Sequence, residues 1–189
     1  TYLGTFAGYN SRGTSNTYVG QSSGSQTGSA ASCTGSYNVG IGDTALQSLA
    51  SGNNNTALGY QSLYSNTTAS NNTAVGYQAG YNVTTGSYNI ALGYNAGNSL
   101  TTGQFCTYIG YGVGASGSNV SNELMIVANN GGGGKGSNTG YINAGGGGIY
   151  QGNNSASWST TSDARIKENV VDLASGLSVV NALRPVEFD

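Results

Sequence analysis

Along the first 115 residues, apolar and polar positions repeat one phrase. An aliphatic residue precedes an anchor glycine each time: Leu3, Val19, Ile41, Leu58, Val75, Leu92 and Ile109 before Gly4, Gly20, Gly42, Gly59, Gly76, Gly93 and Gly110. The anchors are separated by 16, 22, 17, 17, 17 and 17 residues. Asparagine stands four before the anchor at Asn16, Asn38, Asn55, Asn72 and Asn89, and seven before it is usually another glycine. Three after the anchor comes a small or short residue, as at Ala45, Ser62, Ala79 and Ala96. A fixed period in this range is the mark of a solenoid, in which each coil lies on the one before it.

Within a coil, NTALGYQSL alternates as a short strand does, with one side turned to a core. The pattern predicts two short strands and two turns per coil, the aliphatic column being held between stacked rungs. Glycine-rich stretches supply the positive φ that tight corners require, and Asn tolerates the same corners and can stack into ladders. The predicted architecture is all-β, a parallel β-roll or β-solenoid of about 17-residue coils. At about 4.8 Å per coil, seven anchors make a rod of roughly 30–35 Å. A thin core of small residues buries little per coil. Neighbouring coils must therefore cover one another, and lateral association with identical chains is expected.

Composition sharpens this picture. Only 6% of the 189 residues are charged, whereas about 25% is usual. Glycine fills 33 positions, yet 14 tyrosines and the periodic aliphatic residues argue for order over a disordered linker. The net charge of −2 leaves no basic patch for nucleic acid. No apolar run is long enough for a membrane-spanning helix. Histidine is absent, and Cys33 and Cys106 lack metal-type spacing, so neither a metal nor another cofactor is expected. The opening phrase TYLGTFAG starts inside a repeat, as expected of a piece of a longer polypeptide.

Tyr60, Tyr77, Tyr94 and Tyr111 occupy one coil position four times running. They are candidates for stacking against sugar rings; the competing expectation is packing between coils or across a chain–chain interface, where amphipathic Tyr is favoured. Thr17, Thr56, Thr73 and Thr107 form a second column, most simply read as cross-strand pairing. The sequons at Asn54, Asn66, Asn71 and Asn82 are what an Asn- and Thr-rich turn produces, and they matter only in a secretory setting.

At Gly117 the beat stops, which divides the chain into a repeat domain (1–116), a Gly-rich β connector (117–161) and a C-terminal segment (162–189). NELMIVANN predicts a strand with Leu124 and Ile126 on one face and Met125 and Val127 on the other; TGYINA predicts a second. Residues 1–161 hold four charged side chains, Arg12, Asp43, Glu123 and Lys135, and residues 162–189 hold the other eight. There a short helix is expected, capped by Asp172, with Leu173, Leu177, Val180 and Leu183 as its stripe and ended by Arg184–Pro185.

The run NTALGYQSLYSNTTASNNTAVGYQAGYNVTTGSYNIALGYNAG resembles the repeats of phage and virus tail fibres and, more distantly, the heads of trimeric autotransporter adhesins. The resemblance implies a homotrimer of left-handed parallel β-rolls on a virion or otherwise extracellular. Its partners would be a host-surface glycan or receptor and other tail proteins.

The segment SASWSTTSDARIKENVVDLASGLSVVNALRPVEFD resembles the opening of the intramolecular chaperone at the C-terminus of endosialidases and many phage fibres. That family drives trimerisation and then cuts itself at a Ser–Asp bond. The resemblance implies cleavage between Ser162 and Asp163, with Ser162 and Lys167 as the dyad. Such a lysine must be neutral near pH 7, which requires burial. The family domain continues for roughly a hundred residues beyond this point, about the size of an ordinary domain. Three functions follow as alternatives: a phage fibre that adheres to a host, a secreted bacterial adhesin, or a self-cleaving protein.

Overall fold

The structure, a computed structural model, describes residues 1–26, 33–128, 134–144 and 148–152, together with the backbone of 159–160. Eleven strands form one sheet in sequence order. They are β1 (Tyr2–Leu3), β2 (Thr17–Val19), β3 (Val39–Ile41), β4 (Thr56–Leu58), β5 (Thr73–Val75), β6 (Ile90–Leu92), β7 (Thr107–Ile109), β8 (Glu123–Val127), β9 (Thr139–Asn143), β10 (Gly148–Gln151) and β11 (Ser159–Thr160). Pairing is parallel from β1 through β9 and antiparallel for β9–β10–β11. This is an all-β parallel solenoid, with no helix among the described residues. The helix expected after Asp172 lies outside them.

Each full coil contributes one three-residue strand, where two strands were expected. The remainder is a chain of turns, yet it still bonds to its neighbours. Leu46 N–H donates to Ser62 O, Ser48 to Tyr64 and Ala50 to Thr67 (3.1, 3.1 and 2.8 Å). Residues with positive φ recur here, at Gln61, Leu63, Gln78 and Gly80, and this conformation breaks strand geometry without breaking the inter-coil ladder.

The anchor glycines are a tight point of the coil. Gly76 has φ 134°, and a Cβ there would strike the Gly93 carbonyl oxygen one coil on. Only glycine combines that angle with so close a backbone approach.

The core corrects the expected burial. The aliphatic column faces outward: Leu3, Ile41 and Leu58 are exposed, and Val19, Val75, Leu92 and Ile109 are half-buried. The residue before each of them in the strand points inward, with Tyr18, Ala57, Ala74 and Tyr108 fully buried. The expectation assigned the wrong side of a strand whose faces alternate with period two. Apolar bulk in the core comes from the turn segment instead, through Leu46, Leu49, Leu63, Val83 and Leu100 beside Ala45, Ala79 and Ala96. Near one end the Tyr18 ring fills this space, and Gly24 and Gly40 leave room for it. That explains a glycine in the middle of β3 where β4, β5 and β6 carry alanine.

The asparagine column forms a continuous buried ladder, as the sequence led us to expect. Asn55 donates to Asn38 Oδ1 from its backbone N–H (2.9 Å) and from Nδ2 (3.0 Å). Its Nδ2 also donates to the Ala69 carbonyl (2.9 Å). Its own Oδ1 accepts from the Asn72 backbone N–H (3.1 Å) and Nδ2 (3.3 Å). Each amide thus satisfies buried backbone groups that a tight corner would otherwise strand. At the next step the column carries Cys106, whose N–H donates to Asn89 Oδ1 (2.9 Å). Its thiol donates to the Val120 carbonyl (3.4 Å), fourteen residues on, as the asparagines do. Burial pushes this thiol, and that of Cys33, up from the ordinary value.

The sequence beat stops at Gly117, but the stacking does not. β8 sits on β7 in the same register, Thr107 opposite Leu124, with Met125 and Val127 buried and Leu124 and Ile126 half-buried. This matches the faces expected of NELMIVANN.

Candidate functional site: the outward sheet face

Four outward columns run side by side along the strand face. They are the third and first residues before each anchor, flanked by the fifth before it and the first after it. The aliphatic column is joined by Thr17, Val39, Thr56, Thr73, Ile90 and Thr107, with Thr56 in register with Thr73. One margin carries Tyr37, Tyr88 and Phe105, all exposed and all with positive φ, interspersed with Ser15, Asn54 and Asn71; the other carries Thr5, Gln21 and Asp43 and then Tyr60, Tyr77, Tyr94 and Tyr111. Asp43 is the only charged residue in these columns. At about 4.8 Å per strand and about 3.3 Å per residue, seven three-residue rungs make a strand face of roughly 330 Å², with the two margins on the turns beside it.

The structure brings the four tyrosines together as one stack. Ring centroids lie 5.2, 5.0 and 5.0 Å apart, with interplanar angles of 19°, 8° and 15°. Tyr77, at 43% exposure, is typical of the column. In the interior of the stack both ring faces are taken by neighbouring tyrosines, so edges and hydroxyls are what the column presents outward. Beside it, Gln78 Nε2 donates to Gln61 Oε1 (2.7 Å), which ties two adjacent coils along the same edge.

Two further stacks follow from the same periodicity, Tyr64 on Tyr81 and Tyr88 on Phe105, each with centroids 5.0 Å apart. The seventeen-residue spacing within these pairs was the signal that could have located them. Of the sequon asparagines, Asn54, Asn71 and Asn82 are exposed, whereas Asn66 is buried. Ser162, Asp163 and Lys167 lie outside the described residues. Among the described residues no group of three or more His, Cys, Asp or Glu is placed to hold a metal ion, and no helix is long and apolar enough to cross a membrane. Compared with protein-family models, curated proteins and solved structures, the chain matches none of them.

Proposed function

We propose that the chain is a structural and host-recognition rod, the distal part of a phage tail or receptor-binding fibre, acting as a homotrimer outside the cell. The supporting observation is the outward strand face, where an aliphatic column repeats rung by rung beside a mostly threonine column and a tyrosine stack, with one charge. Contiguous apolar patches beyond a few hundred Å² mark interaction sites. A second and third copy carry columns at the same spacing, so their ridges match along the whole length. Threefold avidity then multiplies weak contacts at the host surface. Glycan contact along Tyr60, Tyr77, Tyr94 and Tyr111 runs through hydroxyls and ring edges, because the interior ring faces are occupied by one another.

Light scattering of the purified chain tests this reading. A mass of three chains is expected, with Leu58→Glu combined with Leu92→Glu driving it to one. A wild-type monomer at micromolar concentration overturns the trimer.

Self-cleavage at Ser162–Asp163 belongs to the same reading as a processing step in a longer precursor. Denaturing gels of that precursor carrying Ser162→Ala or Lys167→Ala should show loss of cleavage. Unchanged cleavage in both excludes the dyad.

A further inference from the structure

We propose that Glu123 is a carboxylate clamp that ends the asparagine ladder and fastens the connector to the roll, making this point a discrete conformational joint. The inference stands independently of the fibre reading. Register places Glu123 in the same column as the asparagines, since β6, β7 and β8 align Asn89 with Cys106 and Cys106 with Glu123. The substitution changes the chemistry of the column. An amide both donates and accepts, and so passes the ladder on; the two carboxyl oxygens of Glu123 accept, and gather donors around themselves.

Three segments supply those donors. The Tyr108 hydroxyl, from β7 in the coil below, donates to Oε2 (2.9 Å). The backbone N–H of Ser116, at the corner leading into β8, donates to the same oxygen (3.2 Å). The N–H of Gly136, on the strap that enters β9, donates to Oε1 (2.9 Å). Glu123 is 1% exposed, and among the described residues no cation is a hydrogen-bond partner. Hydrogen bonds to buried carboxyl oxygens are costly to lose, because the oxygens are then left without partners.

Gly134 completes the device. A Cβ there would intrude on both carboxylate oxygens and on the Ser116 N–H at once, so the strap can close over the clamp only because this residue is glycine. Beyond the clamp the strap is also tied by Gly134 N–H to the Gly114 carbonyl and Asn138 N–H to the Ser121 carbonyl (3.1 and 3.0 Å). The clamp is the contact that binds the strap, the corner and the last regular coil to one side chain. It adds a side-chain tie to the β7–β8 and β8–β9 ladders that also link connector and roll.

Hydrogen–deuterium exchange on the full 189-residue chain tests the joint. Glu123→Gln keeps the shape but replaces one acceptor with a donor facing donors. We expect the amides of Ser116, Gly136 and β9 to lose roughly ten- to a hundred-fold in protection, while the amides of β4 to β6 keep theirs. Gly134→Ala, which leaves the carboxylate in place, should give the same regional pattern. Tyr108→Phe, which leaves the two backbone donors intact, should give a smaller loss and serves if either other variant fails to fold. Unchanged exchange at Gly136 in Glu123→Gln overturns the clamp. Equal loosening from β4 through β9 overturns the joint and makes Glu123 a general stability residue.

Discussion

Replacing Asn66 with leucine should stabilise the roll. Asn66 is fully buried, and both its Oδ1 and Nδ2 lack a hydrogen-bond partner. In its column Leu49 precedes it, and Val83 and Leu100 follow, all buried. Leaving a buried amide unsatisfied costs about 1–3 kcal/mol, which the substitution recovers. Burying an additional leucine contributes about 1.5–3 kcal/mol, set against about 1–3 kcal/mol of overpacking if the neighbours do not adjust. Leu49 and Leu100 show that the slot accepts this side chain in the neighbouring coil and two coils on. A net gain of about 2 kcal/mol is expected, which for a domain of this size raises Tm by about 4–8 °C. The assay is urea unfolding followed by circular dichroism, with the mirror variant Leu49→Asn beside it. That variant should lose about 3–5 kcal/mol by combining a cavity with an unpaired amide. A neutral or destabilised Asn66→Leu, alongside the expected loss in Leu49→Asn, would show that Asn66 has satisfied partners and would refute the reasoning.

Further outcomes follow from the ladder, the anchors and the buried phenols. Asn55→Ala strands the Asn72 N–H and the Ala69 carbonyl, so a loss of about 2–4 kcal/mol is expected in the same denaturant assay; a loss below about 1 kcal/mol would mean the ladder is dispensable. Gly76→Ala, at φ 134° against a facing carbonyl, should cost about 3 kcal/mol or more, whereas Gly117→Ala, 3.5 Å from a Val120 methyl, should stay within about 1 kcal/mol; equal melting temperatures for the two would overturn the close-approach argument. Burial raises the pKa of Tyr18 and Tyr108 above the ordinary value of 10.0. Their stabilisation is therefore fully present below about pH 10 and is lost as the pH climbs from there towards the folded values, by up to about 1.4 kcal/mol per pH unit per group. Urea midpoints should fall between about pH 10 and pH 12, and less steeply in a Tyr18→Phe, Tyr108→Phe double variant; parallel slopes would exclude these phenols as the cause.

Much of the roll was legible because its period is an arithmetic property of the chain. Anchor glycines, the asparagine ladder and the tyrosine column each follow from counting to seventeen, and the structure places all three as stacked columns. Inside and outside were harder to read. A three-residue strand such as Thr56–Leu58 offers one inward residue, and that residue is alanine, so by size alone the leucine reads as core. The apolar bulk of the core sits on turn residues such as Leu46 and Leu63, whose positive φ (54° and 48°) is unusual for leucine and carries no sequence signal of its own. Glu123 is one of four charges in residues 1–161, yet its place in the asparagine column follows only from β8 continuing the stack past the last anchor glycine.

The uniform seventeen-residue coil makes the middle of this rod a cassette. Duplicating or excising the unit from Gly59 to Val75 returns every side chain to an equivalent neighbour, so recombination can lengthen or shorten the protein without redesigning it. The ends resist such editing. The Tyr18 ring is matched to Gly24 and Gly40, and the Tyr108 hydroxyl to Glu123, so these coils each have one place in the order.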